Sequence, residues 1–111
     1  MEKIERYREY ILKLLSDRAQ FGSSYEEIEI QTIFDIERDH YQLVQTGWRN
    51  QRRFYGCFLH VDIKDGKIWV QHDGTEIAIA DELVSLGVPK EDIVLAFHDP
   101  YIRQFTGFAV G

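Results

Sequence analysis

The dipeptide Asp65-Gly66 constrains the fold of this chain most strongly, because it lies between two stretches in which apolar and polar residues alternate. Asp-Gly in this setting is a strong signal for a β-hairpin, since a type I′ turn needs positive φ at both central residues. A two-residue loop also fixes the register of the strands. The predicted cross-strand pairs are Lys64 with Lys67, Ile63 with Ile68, Asp62 with Trp69, Val61 with Val70 and His60 with Gln71.

This register gives the predicted hairpin two different faces. The apolar face is expected to form the core and consists of Leu59, Val61, Ile63, Ile68 and Val70. The opposite face consists of Phe58, His60, Asp62, Trp69 and Gln71. It is too polar for a core and too aromatic to be merely solvated. Such a mixture is typical of a surface that contacts a partner.

Helical spacing of apolar residues predicts two helices, over residues 2–17 and 76–86. Gly87 and Pro89 should end the second helix. Shorter runs that are apolar or alternate with period two predict strands. A helical turn is predicted over 100–104, and a strand or extended tail over 105–110. The predicted strands are 27–37, 40–49, 54–64, 67–72 and 93–97.

This order of elements predicts an α+β fold, in which an N-terminal helix, a largely antiparallel β-meander, a second helix and C-terminal strands form a single compact domain over residues 1–111. No stretch approaches the roughly 20 apolar residues of a membrane span. The N-terminal sequence lacks the hydrophobic region and cleavage site of a signal peptide. A single cysteine, Cys57, fits a reducing compartment, so we expect a cytoplasmic protein with no membrane contact.

The net charge of −6 argues against non-specific nucleic-acid binding by the whole surface. Nine basic and ten acidic residues give residues 1–60 a net charge of −1, whereas residues 61–111 carry −5. DNA contact, if direct, is therefore expected to be local, at the basic turn formed by Trp48, Arg49, Arg52 and Arg53. The competing interpretations of this turn are a solvated loop whose arginines pair with carboxylates, and a protein-binding hot spot.

Residue chemistry favours a non-enzymatic role, because the chain has no G-x-S-x-G elbow, P-loop, G-x-G-x-x-G or HExxH motif. His60 and Asp62 share a strand face and could act as an acid–base pair or hold a metal. A metal site wants three converging ligands, and only these two are evident. The sequence therefore predicts no catalytic residue, no metal and no cofactor.

Asp73-Gly74-Thr75-Glu76 precedes the second helix, and its favoured interpretation is turn and helix-start chemistry, in which Asp73 or Thr75 accepts a backbone N–H. The alternative is a small enzyme or ligand-binding domain with a polar site formed by His60, Asp62, Asp73 and Glu76 beside Trp69. That alternative predicts a concave pocket with converging polar groups.

Several ordered motifs resemble the XisI-type fdxN element excision controlling factors of cyanobacteria. They are Gly47-Trp48 followed by Arg52 and Arg53, the run from His60 to Gln71, Asp73-x-Thr75-Glu76 and the stretch from Gly87 to His98. An aromatic-rich end follows, and the resemblance extends over nearly the whole chain.

The resemblance implies a regulatory role in programmed DNA excision, in which the recombinase is a separate protein. It also implies a companion of the XisH type, which resembles a nuclease. The family offers no established catalytic residues to carry over. We therefore expect Trp48, Arg49, Arg52, Arg53, His60, Asp62, Trp69 and Gln71 to be candidates for partner or nucleic-acid contact. A second copy of the chain is a further candidate partner.

Overall fold

The computed structural model describes residues 2–23 and 25–111. It confirms the α+β class with five strands in the order β1-β2-β3-β4-β5. The first four strands form an antiparallel meander, and β5 is parallel to β4. The elements are α1 (Glu2–Phe21), β1 (Ile28–Asp35), β2 (His40–Arg49), β3 (Arg52–Lys64), β4 (Lys67–Asp73), α2 (Ile79–Ser85), β5 (Ile93–Leu95) and α3 (Pro100–Arg103).

The molecule has two layers, because α1 and α2 cover the same face of the sheet. Each helix presents an apolar stripe to that face, as its periodicity predicts. Arg18 near the end of α1 forms an ion pair with Glu82 of α2 and donates to the carbonyl of Ile77, which holds the two helices together. The fully buried side chains of the core include Ile11, Leu15, Tyr41, Leu43, Leu59, Val61, Ile68, Val70, Ile79, Leu83 and Ile93. In the described part of the chain, no helix has the length and apolarity needed to cross a membrane.

A glycine follows the end of each of the helices α1 and α2. Helix α1 is longer than predicted and stops before Gly22, which has φ of +82° and donates to the carbonyl of Arg18. Helix α2 ends as predicted at Gly87, which has φ of +107°. Gly87 donates to the carbonyl of Val84 and Val88 donates to that of Leu83, which is the hydrogen-bond pattern of a Schellman motif.

The turns of the meander match the sequence, but two bulges alter the register. Asp65 and Gly66 have φ of +53° and +78°, as a type I′ turn requires. The first four predicted pairs are confirmed, whereas the predicted pair of His60 with Gln71 is wrong, because β4 bulges at Gln71 and His60 pairs with His72. The bulge brings His72, which a regular ladder would place on the opposite face, across from His60.

A second bulge lies in β3 at Phe58, because Val44 pairs with Cys57 and Leu43 pairs with Leu59. Phe58 consequently packs against the core, and its predicted place on the polar face is wrong. Burial of this aromatic ring favours the bulged arrangement over a regular ladder.

Several predicted boundaries are also wrong. Strand β1 ends at Asp35, so Ile36 lies in a turn and is exposed. Helix α2 begins only at Ile79, and β5 ends at Leu95. The predicted C-terminal strand is reduced to one bridge, in which Ala109 donates to the carbonyl of Ile93. These segments lack the regular burial that would extend the element to its predicted length.

Candidate functional site

The face of the sheet opposite α1 and α2, which we call the outer face, carries most of the predicted contact residues. Along the β2–β3 ladder its cross-strand pairs are His40 with Asp62, Gln42 with His60, Val44 with Cys57, Thr46 with Tyr55 and Trp48 with Arg53. The first and last of these pairs are eight residues apart along β2, which corresponds to about 26 Å. The outer face therefore has two separate candidate sites at its ends.

The first candidate site is a His–Asp cluster formed by His40, His60 and Asp62. Nδ1 of His40 lies 2.9 Å from Oδ1 of Asp62, and Nε2 of His60 lies 2.8 Å from the same oxygen. The side chain of Asp62 is 13% exposed, whereas that of His40 is 54% exposed. A carboxylate recessed in the sheet thus faces two imidazoles that are more open to solvent.

Contacts outside the cluster fix its position. The other oxygen of Asp62, Oδ2, accepts a hydrogen bond from the Gln71 amide at 3.2 Å. The amide nitrogen of Gln42 lies 3.4 Å from Nδ1 of His60. Gln71, a predicted contact residue, therefore orients the carboxylate of Asp62.

Asp39 anchors the chain immediately before His40. It has φ of +59°, and its carboxylate accepts hydrogen bonds from the Arg8 guanidinium at 2.7 and 3.0 Å and from the Tyr41 hydroxyl at 2.7 Å. The bond from Arg8, followed by that from Tyr41, holds the pKa of Asp39 below its usual value. Helix α1 thereby fixes the start of β2 and the position of His40.

His40 was missed as a member of this cluster. Counting back from the Asn50-Gln51 turn with a regular ladder places His40 opposite Val61. The bulge at Phe58 shifts the pairing by one residue and brings His40 opposite Asp62. The dipeptide Asp39-His40 was visible in the sequence, but only the bulge places it beside His60.

The second candidate site is the tip patch, formed by Trp48, Arg53 and Tyr55. Trp48 is 60% exposed and Tyr55 is 71% exposed. The Arg53 guanidinium lies 5.6 Å from the ring centroids of both Trp48 and Tyr55, within the range of cation–π contact. Exposed aromatic rings held beside an arginine are the composition of a protein-binding hot spot.

The other two arginines of the basic turn lie on the opposite side of the ribbon, because Arg49 and Arg52 pair with each other and strand residues alternate in direction. The Arg49 guanidinium lies 3.8 Å from the Tyr25 ring centroid, and its Nε lies 3.8 Å from Oε1 of Glu27. Arg52 lies 5.6 Å from the Phe54 ring. Tyr25, Arg49, Arg52 and Phe54 line a shallow groove of about 320 Å³. The predicted basic turn is thus divided between two faces.

Trp69 lies beside Asp62 on the outer face and is half-buried by the C-terminal segment. Its indole N–H donates to the carbonyl of Lys64 at 3.1 Å. The Lys64 ammonium and the Arg103 guanidinium lie 4.7 and 5.8 Å from its ring centroid. Trp69 therefore helps to hold the C-terminus, and its contact with a partner stays a prediction.

Asp73 and Glu76 do not join His60 and Asp62. Asp73 pairs with the buried Leu59, and its carboxylate accepts from the backbone N–H groups of Thr75 and Ile79 at 2.9 Å each. This confirms the favoured interpretation of turn and helix-start chemistry. Glu76 lines a groove of about 600 Å³ on the helical side, between α1 and the segment before α2. Among the described residues, His60, Asp62 and Asp73 line neither this groove nor the one at the turn.

Comparison with known proteins identifies the family of this chain. A sequence profile of the family described as XisI protein matches residues 1–110. The chain belongs to the XisI family. The resemblance inferred from the motifs is thereby confirmed. No protein with a curated description matches the chain.

Solved structures share the fold over nearly their whole length. An XisI-like protein from Anabaena variabilis ATCC 29413 is 47% identical to this XisI-family chain, with a TM-score of 0.89, and the match covers 96% of this chain and 97% of that protein. The fdxN element excision controlling factor XisI from the same organism is 34% identical, with a TM-score of 0.85, and the match covers 98% and 99%. The two-layer α+β fold is therefore common to these proteins.

Proposed function

We propose that this chain is a cytoplasmic accessory factor that controls programmed excision of a DNA element of the fdxN type, and that it acts by binding an XisH-type protein rather than by catalysis. Membership of the XisI family and similarity to an fdxN element excision controlling factor support the process. The observation that carries the mode of action is the exposed tip patch on the face of the sheet opposite α1 and α2.

The tip patch has the features expected of an anchor for a protein. Within residues 2–23 and 25–111, no carboxylate forms an ion pair with Arg53, so its charge is available to an acidic group on a partner. Trp48 and Tyr55 supply apolar area at a low cost in conformational entropy, because each has only two side-chain torsions. Contact with the two rings orients the Arg53 guanidinium before a partner binds.

The charge of the chain favours a protein partner over direct DNA binding. A net charge of −6 opposes approach to a phosphate backbone. Arg49, on the opposite side of the turn, is already stacked on Tyr25 near Glu27. A DNA-binding ribbon would need its arginines unpaired and on one side. Here Arg53 lies on one side of the turn, and Arg49 and Arg52 lie on the other.

The test is co-expression of the chain with a tagged XisH-type protein, followed by nuclease treatment and affinity capture. Trp48→Ala and Arg53→Glu should each weaken the affinity for the XisH-type protein, measured by titrating the capture, at least about 30-fold, as loss of a hot-spot side chain does. Arg52→Glu is the matched control, because it makes the same charge change at the same turn on the opposite face. Capture that is lost with nuclease, or that falls equally in Arg52→Glu, would overturn the proposal.

A further inference from the structure

We propose that the His–Asp cluster is a binding site for a late first-row divalent cation, with Zn²⁺ as the best match. One ligand atom each from His40, His60 and Asp62 lies within 4.8 Å of the other two. Two imidazoles with one carboxylate suit zinc and its neighbours, whereas calcium and magnesium prefer all-oxygen sites. The proposal is independent of the proposed function.

The distances from Asp62 to the two imidazoles need to change little to accept the ion. Zinc–ligand distances of about 2.0–2.2 Å in a tetrahedron correspond to separations of roughly 3.4 Å between ligand atoms. Both imidazole nitrogens now lie 2.8–2.9 Å from Oδ1 of Asp62. An increase of about half an ångström in each distance, through small side-chain rotations, would open the centre of the cluster to a cation.

The backbone holds the three side chains on one face. His60 and Asp62 alternate along β3, and His40 lies directly across from Asp62 on β2. The bulges at Phe58 and Gln71 flank His60 on its two ladders. Bulges commonly redirect side chains at functional sites, and here the bulge at Phe58 creates a convergence of His40 with Asp62 that a regular ladder would not contain.

The groups around the cluster match the outer-shell partners of metal ligands. Gln71 donates to Oδ2 of Asp62, which leaves Oδ1 directed at the imidazoles. The Gln42 side chain is within reach of Nδ1 of His60, and with its amide turned over, its oxygen would accept the proton on that nitrogen when Nε2 binds the metal. Such partners fix the tautomer and orientation of the ligands.

The site would leave a coordination position open. Three protein ligands and one vacant position are the arrangement of zinc sites that exchange water or an external ligand, whereas closed structural sites use four protein ligands. The side chains of His40 and His60 are 54% and 28% exposed, so a fourth ligand can approach from solvent. The competing interpretation is a hydrogen-bonded cluster that binds no ion. A titration with Zn²⁺ distinguishes this interpretation from a metal site.

That measurement is titration of the metal-free chain, purified without a polyhistidine tag, with Zn²⁺ by calorimetry. Co²⁺ absorption in the visible range reports the geometry independently. We expect one ion per chain. His40→Ala, His60→Ala and Asp62→Asn should each weaken binding by more than about 100-fold, and Gln71→Leu by about 10–100-fold. The matched control is His72→Ala, which removes the exposed histidine paired with His60 but outside the cluster.

Thermal unfolding in the presence of a chelator checks that each variant is folded. Asp62→Asn keeps the shape of the side chain, and His40 is exposed, so these two variants keep the test decisive if another one is unstable. Absence of Zn²⁺ binding at equimolar concentration would overturn the proposal, as would equal weakening in His72→Ala or undiminished binding in Asp62→Asn. Loss in the three ligand variants, a smaller loss in Gln71→Leu and none in His72→Ala would establish the site, whatever the outcome of the capture experiment with the XisH-type protein.

Discussion

The two faces of the sheet are fixed by different physics. The inner face is closed by α1 and α2, and Leu59 and Val61 are completely buried there. The outer face exposes most of Trp48 and Tyr55 and is organised by pairwise contacts, such as Arg53 with the two rings and Asp62 with the two histidines. The free energy gained by burying apolar side chains grows with the buried area, so the inner face determines the fold. Exposed polar contacts contribute little to stability. Residues of the outer face can therefore serve partner binding without being needed for the stability of the fold.

The largest expected effect is on the inner face, at Leu59→Ala. Removing this fully buried side chain should lower the free energy of unfolding by about 2–5 kcal/mol, through lost transfer free energy and the cavity left behind. Chemical denaturation measures the change. Tyr55→Ala on the same strand is the control, and an equal loss there would contradict the contrast between the faces.

The next effect is expected at Gly47, where β2 closely approaches the start of β1. A Cβ atom at this position would collide with the carbonyl oxygen of Glu27 and lie 3.0 Å from Cα of Ile28. Gly47→Ala should cost about 1–3 kcal/mol, the usual penalty of overpacking. Gly56→Ala is a matched control, because Gly56 has a similar φ of +151° and a Cβ there meets nothing within 4 Å.

Thermal or chemical unfolding of the two glycine variants separates backbone strain from the collision. Strain is common to both positions, so the difference between them reports the collision with β1. Equal destabilisation would mean that the start of β1 moves away from Gly47 with no loss of stability, and so that this edge strand is only weakly bound to the sheet.

Asp39 links the two faces, since it joins α1 to the start of β2, and it should make stability depend on pH. Its pKa is lower in the folded chain than in the unfolded chain, mainly because of the hydrogen bond from Arg8. Its stabilisation is therefore fully present above the unfolded pKa of about 3.9 and is lost as the pH falls through the folded value. Asp39→Asn should cost about 1–2 kcal/mol at pH 7 and flatten the acid limb of the stability curve. Denaturation at several pH values is the measurement, and an unchanged acid limb would refute the assignment.

The smallest effect on stability is expected at the tip patch. Trp48→Ala should change the free energy of unfolding by less than about 1 kcal/mol, because it removes only exposed cross-strand contacts. The same variant should nevertheless lose the XisH-type partner. A variant that unfolds would show that Trp48 serves the fold, and one that keeps the partner would show that Trp48 takes no part in recognition.

Local chemistry explains which elements could be predicted from the sequence. The turn at Asp65-Gly66, the amphipathic face of α1, the stop at Gly87 and the helix-start role of Asp73 depend on residues close together in the chain. The family was equally accessible, because its motifs are ordered along the sequence. Ends of elements such as β5 and the start of α2 were less predictable, because the burial of the flanking residues decides where an element stops, and the residue pattern does not show it.

The sequence by itself determined the α+β class, the meander, the apolar inner face and the membership of the XisI family. Only the tertiary structure decided the two bulges, and with the one at Phe58 the convergence of His40 with His60 and Asp62 and the inward position of Phe58. The physical reason is that a bulge depends on how a whole strand packs against the core. A single inserted residue then reverses the face of every side chain beyond it.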